Sequence, residues 1–150
     1  MHLKIPPPLV VAIGFLLMYL GAIWLPNLTF AFPGQIAVAA LFLIAGLGMG
    51  AYALADFIHC RTTFNPMTPD KAATLVTAGL YRFSRNPMYV ADVVLLLAFG
   101  VYLGTATVIA VVPAFVWYLT EFQIKPEEES LRKIFGAEYE AYLGQVRRWL

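Results

Sequence analysis

Apolar residues gather along this chain in long blocks, with the polar residues confined between them. Four blocks are long enough to cross a bilayer, which takes about 17–25 largely apolar residues. They cover about residues 9–25, 35–58, 87–103 and 105–123. Only a turn around Gly104 separates the third block from the fourth, so these two predict a tight antiparallel hairpin. Pro113 inside the fourth predicts a bend, since proline removes one intrahelical hydrogen bond. After the fourth block the pattern changes. Leu131, Ile134, Phe135, Tyr139, Tyr142, Leu143 and Val146 recur at helical spacing, and charges fill the other face. That stretch is too polar to span, and predicts one amphipathic helix along the membrane surface that ends with Trp149 at the interface.

Composition agrees with this reading. Of 150 residues, 61% are hydrophobic and only 13% charged, with a mean hydropathy of +0.74, where soluble domains carry about one quarter charged residues. The expected fold is an all-α integral membrane protein, a single domain over 1–150, with four transmembrane helices plus a C-terminal amphipathic cytoplasmic helix. Charge placement gives the orientation. All ten Lys and Arg fall in three places: Lys4, the stretch from Arg61 to Arg85, and the stretch from Lys125 to Arg148. The loop from Pro26 to Gly34 and the turn at Gly104 carry no charge. With four spans the three charged segments share one side, which the positive-inside rule assigns to the cytoplasm. Both termini are then cytoplasmic, in the inner membrane if the source is prokaryotic. The first block is long enough to span and lacks a small-x-small cleavage site, so no cleavable signal peptide is expected.

The chemistry is bounded by what is scarce. A single cysteine, Cys60, excludes an internal disulfide and any multi-cysteine metal site. His2 and His59 are far apart and form no ligand pattern, and a net charge of +1 gives no ground for a nucleic-acid partner. Polar residues concentrate on the expected cytoplasmic face, in the loop from Arg61 to Asn86 and the tail from Lys125. Long structureless loops in compact folds tend to be functional; the plain alternative is a solvated loop whose arginines only orient the protein. The stretch Gly79-Leu-Tyr-Arg-Phe-Ser-Arg-Asn-Pro-Met-Tyr89 presses two arginines, an Asn-Pro pair and two tyrosines against the third block. Asp92 lies one to two turns inside that block, where an ionisable group is expensive and is functional by default. It either faces a substrate entrance or pairs with a nearby arginine. Gly46 to Gly50, Gly-Leu-Gly-Met-Gly, could be a phosphate or cofactor loop by composition, but within a membrane helix it reads first as close helix packing.

Two motifs on either side of the hairpin resemble a known family. Thr77, Gly79 and Tyr81 lead to Arg85-Asn86-Pro87-Met88-Tyr89. Beyond the hairpin come Glu127-Glu128-x-x-Leu131, Phe135-Gly136-x-Glu138-Tyr139, and Tyr142 to Val146 before a basic end. Their joint spacing, over about Ala73 to Trp149, is similar to the isoprenylcysteine carboxyl methyltransferases, which belong with the phospholipid N-methyltransferases in a wider group of membrane methyltransferases. The resemblance implies an enzyme that uses S-adenosyl-L-methionine to methylate a small or lipidic acceptor through a carboxylate, thiol or amine. It implies a cofactor region over about 73–89 and 123–149. Ala73, Thr74, Leu75 and Val76 would line the cofactor, followed by Tyr81, Asn86, Pro87, Met88 and Tyr89, with Glu127 closing the pocket from the tail.

These residue types suit that cofactor. Tyrosine faces accept adenine or a sulfonium, and a carboxylate accepts charge-assisted hydrogen bonds from hydroxyls or an ammonium. The tyrosines would otherwise be interface anchors. Arg82 or Arg85 meets the cofactor carboxylate or else neutralises the acidic tail. Glu128 and Glu129 read as solvated charges in a first helical turn. Arg85, Asp92 and Gln123 are the candidates on the acceptor side. At Gln123 the prenylcysteine enzymes carry an arginine for the substrate carboxylate, so prenylcysteine is not the expected acceptor. No catalytic residue is assigned, because methyl transfer from a sulfonium relies on positioning and desolvation; an amine acceptor would also need deprotonation, for which His59 is the obvious histidine. The expected partners are an acceptor of this kind and membrane lipid. Two rival readings are a non-catalytic lipid-binding or assembly protein and a membrane reductase of related fold.

Overall fold

The computed structural model describes residues 5–59 and 74–150, without the side chains of Phe57 and His59. Ala73 and the possible base His59 therefore lie outside the described residues or side chains. Helix α1 covers Pro7–Trp24, α2 Gln35–His59, α3 Pro87–Leu103 and α4 Val108–Leu119. A π-helical turn over Thr120–Ile124 carries α4 directly into α5, Lys125–Phe135, and α6 follows at Ala137–Gln145. Pro7 and Pro87 stand at the starts of α1 and α3, where the missing N–H would have had no helical partner anyway.

The helices α1 and α2 and the continuous helix Val108–Phe135 are each long and apolar enough to cross a membrane. Helix α3 is apolar over its 17 residues, a length of about 26 Å at 1.5 Å per residue. The chain is an integral multi-pass membrane protein. Only 17% of the apolar window of α2 is buried inside the protein. Side chains such as Leu41 and Ile44 point outwards, as lipid-facing positions should.

What the helices bury lies between α1, α3 and α4. Met18, Leu96 and Leu119 are fully enclosed there, with Phe115, Ile124 and Tyr89 in the same cluster. Small residues set the spacing between helices. A Cβ at Gly14 would come within 2.9 Å of Leu96, and one at Gly46 within 2.8 Å of Leu95. Gly50 meets Ala91 on α3, so two glycines of the Gly-Leu-Gly-Met-Gly run serve the α2–α3 contact, while Gly48 faces open space.

The two charge-free connections meet. The Phe30 N–H donates to the Gly104 carbonyl (2.7 Å) and the Ala106 N–H to the Leu28 carbonyl (2.7 Å). The Gln35 side-chain amide donates to the Val101 carbonyl at 2.8 Å. One end of the bundle is thus sealed by backbone pairing, and the charged segments that are described occupy the other.

Helix α4 continues through Pro113, and a π turn that hydrophobic spacing does not predict follows it. One expectation changes. The tail is two helices, because Gly136 takes a φ of +51° and ends α5. Nor does the tail merely rest on a membrane surface: Tyr139 and Tyr142 are buried, and Trp149 packs against the α1–α3–α4 core.

Candidate functional site

At the charged end, a 3-10 turn over Gly79–Arg82 leads through 83–86 into α3. Gly79 has a φ of +58°, and a Cβ there would overlap the carboxylate of Asp56 near the end of α2. Only glycine lets the turn lie so close on that acid. The turn delivers Tyr81 into a small cluster with Ala53, Val76, Leu80 and Met88. The Tyr142 hydroxyl donates to the Tyr81 carbonyl at 2.7 Å, which fastens α6 to the turn. Burial, then the charge of Glu127, then Tyr142 and Asp56 push the Tyr81 phenol above its ordinary range. It remains a neutral O–H at all physiological pH.

Tyr89, in the first turn of α3, donates its hydroxyl to Glu127 Oε2 at 3.3 Å. The two residues are 38 positions apart, and the hairpin α3–α4 with its extension into α5 returns the chain to the same depth. Glu127 stands beyond the apolar part of the long helix, in the first turn of α5. Burial pushes its carboxyl up to about 7, with the Tyr89 hydrogen bond pulling down and the neighbouring Glu128 pushing up. Removal from water disfavours the charged form, and one phenol donor does not offset it.

Glu128 has the opposite surroundings. It is buried and ion-paired, with Arg85 Nη1 at 3.3 Å from Oε1. Arg148 grips it with two hydrogen bonds, Nε to Oε1 at 2.9 Å and Nη2 to Oε2 at 2.8 Å. Burial works to raise its carboxyl. The Arg148 hydrogen bond and the charges of Arg85, Arg148 and Arg132 outweigh that and hold it below the ordinary carboxylate range. The expectation that Glu128 is a solvated first-turn charge is therefore corrected; Glu129 is exposed. Of the two readings of Arg85, neutralisation of the acidic tail is the one its contact matches. Asn86 is also engaged by the tail, its side-chain amide donating to the Arg148 carbonyl at 2.9 Å.

The structure thus gathers Val76, Tyr81 and Met88 in one cluster and joins Tyr89 to Glu127 by a hydrogen bond; the Glu127 charge reaches the Tyr81 phenol, and Pro87 is buried at the start of α3. Leu75 is partly buried and Thr74 exposed at the margin. Asp92 follows Tyr89 by three residues, on the same face of α3 and partly buried. Gln123 lies in the π turn, 2% exposed. Three buried polar atoms have no hydrogen-bond partner among the described residues: Asp56 Oδ2, Arg85 Nε and Gln123 Nε2. Asp56 was missed by the sequence reading. It is the single acid in the second apolar block, and the rule that singled out Asp92 applies to it equally. On the outer side of the turn an open groove of about 580 Å³ is lined by Gly48, Met49, Tyr52, Leu80, Arg82 and Phe83.

Comparison with known proteins gives the family. The family model described as phospholipid methyltransferase matches residues 34–138. An uncharacterized protein of Haemophilus influenzae is 40% identical over 63 residues, which are 42% of this chain and the whole of that relative. No solved structure matches the chain significantly.

Proposed function

The chain belongs to the phospholipid methyltransferase family, and from that premise we propose that it is a membrane methyltransferase. It takes S-adenosyl-L-methionine and methylates a lipidic or small hydrophobic acceptor. The observation that carries this is the meeting of Tyr89 and Glu127 beside the buried Tyr81. The same proposal takes α3 as a fourth span and puts the charged end in the cytoplasm, for which the charge placement is the support.

The residues present suit the cofactor. It bears an ammonium, a carboxylate, ribose hydroxyls and a sulfonium, and the unpartnered atoms are one acceptor, Asp56 Oδ2, and two donors, Arg85 Nε and Gln123 Nε2. Buried polar atoms are rarely left unpaired without a reason, and a bound polar molecule would supply their partners. Glu127 with Tyr89 would hold a cation or hydroxyl, and Tyr81, Val76 and Met88 a flat apolar surface. When bound, S-adenosyl-L-methionine supplies a methyl group on a positively charged sulfur and leaves as a neutral thioether. The protein's own work is to orient and to exclude water. Tyr81 and Tyr89 would present neutral rings, and the Glu127 carboxylate favours positive charge in a poorly solvated place. An acceptor from the bilayer would approach along α2 through the groove, where Tyr52 and Phe83 are 55% and 72% exposed.

Calorimetric titration of S-adenosyl-L-methionine into the purified protein in detergent tests the proposal, followed by methyl transfer assays on phospholipids, isoprenoid thiols and carboxylates. Saturable binding with turnover of at least one acceptor is expected. No binding would exclude the methyltransferase reading for this chain.

A further inference from the structure

We propose that the C-terminal segment Arg147–Trp149 is a strap that sets the geometry of the candidate cofactor pocket, with Arg148 and Trp149 as positioning residues. The inference rests on the methyltransferase reading for the pocket's ligand, and on contacts alone for the strap itself.

Three pieces of backbone must be in register for Tyr89 and Glu127 to meet: the approach 84–86, the π turn, and the first turn of α5. The strap touches each of them. On the approach, the Arg85 N–H donates to the Arg147 carbonyl at 2.9 Å and the Asn86 side chain to the Arg148 carbonyl at 2.9 Å. Ser84, which accepts the Asn86 N–H at 3.1 Å, shares the same neighbourhood. At the π turn, Trp149 Nε1 donates to Thr120 Oγ1 at 3.1 Å, while that hydroxyl donates to the Val116 carbonyl at 2.6 Å. On α5, the Arg148 guanidinium makes its two bonds to Glu128.

The consequence for Glu127 is geometric. Glu127 and Glu128 are consecutive on a helix, so their side chains leave it about 100° apart. A bidentate arginine–carboxylate pair fixes orientation as well as distance. Holding Glu128 against Arg148 and Arg85 therefore fixes the rotation of α5 about its axis, and this aims Glu127 at Tyr89. Holding Asn86 fixes the start of α3, and with it Tyr89. Trp149 sets the phase of the π turn that joins Gln123 to Glu127. A helix that changes from α to π hydrogen bonding can slip by a residue; a donor fixed on Thr120 opposes that slip.

The test uses the full-length protein in detergent, with Arg148→Ala, Arg148→Lys, Trp149→Phe, Glu127→Gln and the double variant Arg148→Ala/Glu127→Gln. Hydrogen exchange without ligand should show faster exchange in 84–90 and 120–129 for Arg148→Ala, with α1 unchanged. Cofactor affinity should fall about tenfold in Arg148→Ala and less in Arg148→Lys. Trp149→Phe, which keeps the ring and loses the N–H, should behave like Arg148→Lys. If Arg148 acts through Glu127, the double variant should bind no more weakly than Glu127→Gln alone, whereas independent sites would add. Additive losses, or exchange that is unchanged or raised evenly along the bundle, would overturn the strap. Failure of the wild type to bind the cofactor would sink the methyltransferase reading instead, and the exchange pattern would still decide the strap.

Discussion

Glu127 and Glu128 are adjacent in the chain and alike in chemistry, yet one meets a single phenol and the other two guanidinium groups. Their charge states follow. A cation held by Glu127 needs the carboxylate form, so with its carboxyl near 7, cofactor affinity should rise from pH 6 to 8. Glu127→Gln should remove that rise and weaken binding by about 1–3 kcal/mol, the loss of one charge-assisted hydrogen bond. Glu129→Gln, at an exposed position, should change little. Calorimetry of the three proteins across that range is the check, and a wild-type affinity independent of pH would remove Glu127 from the cation site. The same raised value has a signed effect on the empty fold. The native state holds the proton more tightly, so stability falls as pH rises from the unfolded value near 4.3 to about 7, and then levels. Gln123 carries the second residue-level prediction. It stands where a carboxylate-binding arginine would, so farnesylcysteine analogues should be poor acceptors, by about 1.5–3 kcal/mol for one missing charged contact. Brisk turnover of them, unaffected by changing Gln123, would refute this. The pairing of Glu127 with the Tyr89 region was legible from motif spacing. The partner of Glu128 was not, because Arg148 lies 20 residues on and its approach depends on a helix break that hydrophobic spacing does not register.

At the level of elements, the apolar blocks marked where helices lie, and the third block and α3 share the limits 87–103; three helices have the length of a span, and α3 is shorter. Chain segments governed by hydrogen bonding were harder to read. A π turn has no hydrophobic signature, and the break at Gly136 competes with a periodic pattern that runs straight through it. The turn at Gly79 shows how an element can depend on one contact between distant segments. Its positive φ alone costs alanine about 1–2 kcal/mol, and the overlap with Asp56 adds to that. Gly79→Ala should therefore lower the thermal unfolding midpoint in detergent by more than the backbone term accounts for. Adding Asp56→Ala should recover the excess and leave the backbone part. Equal destabilisation with and without Asp56 would mean that the turn can move away from α2, and that Tyr81 is not held by this contact.

For the molecule as a whole, the side on which the pocket opens decides whether a soluble cofactor can reach it. The backbone pairing of Phe30 with Gly104 and of Ala106 with Leu28 puts the two charge-free connections at one end. The candidate site, with Arg85, Glu127 and Arg148, lies at the other. If α3 crosses the bilayer with its three longer companions, every described Lys and Arg falls on a single side, and the positive-inside rule makes that side cytoplasmic. At about 26 Å, α3 is slightly shorter than a hydrocarbon core of roughly 30 Å. Its packing along α2 and the lipid-facing surface of its neighbours would let it cross with slight local thinning. An α3 that stopped short would put Gly104 and the loop from Pro26 at different depths, although they are hydrogen-bonded to each other. Reporter fusions at Asn27 and Gly104 should therefore both read as external, and a fusion at Leu150 as cytoplasmic. An external C-terminus would leave the pocket facing away from the cytosolic supply of cofactor, and with it the proposed activity would fail.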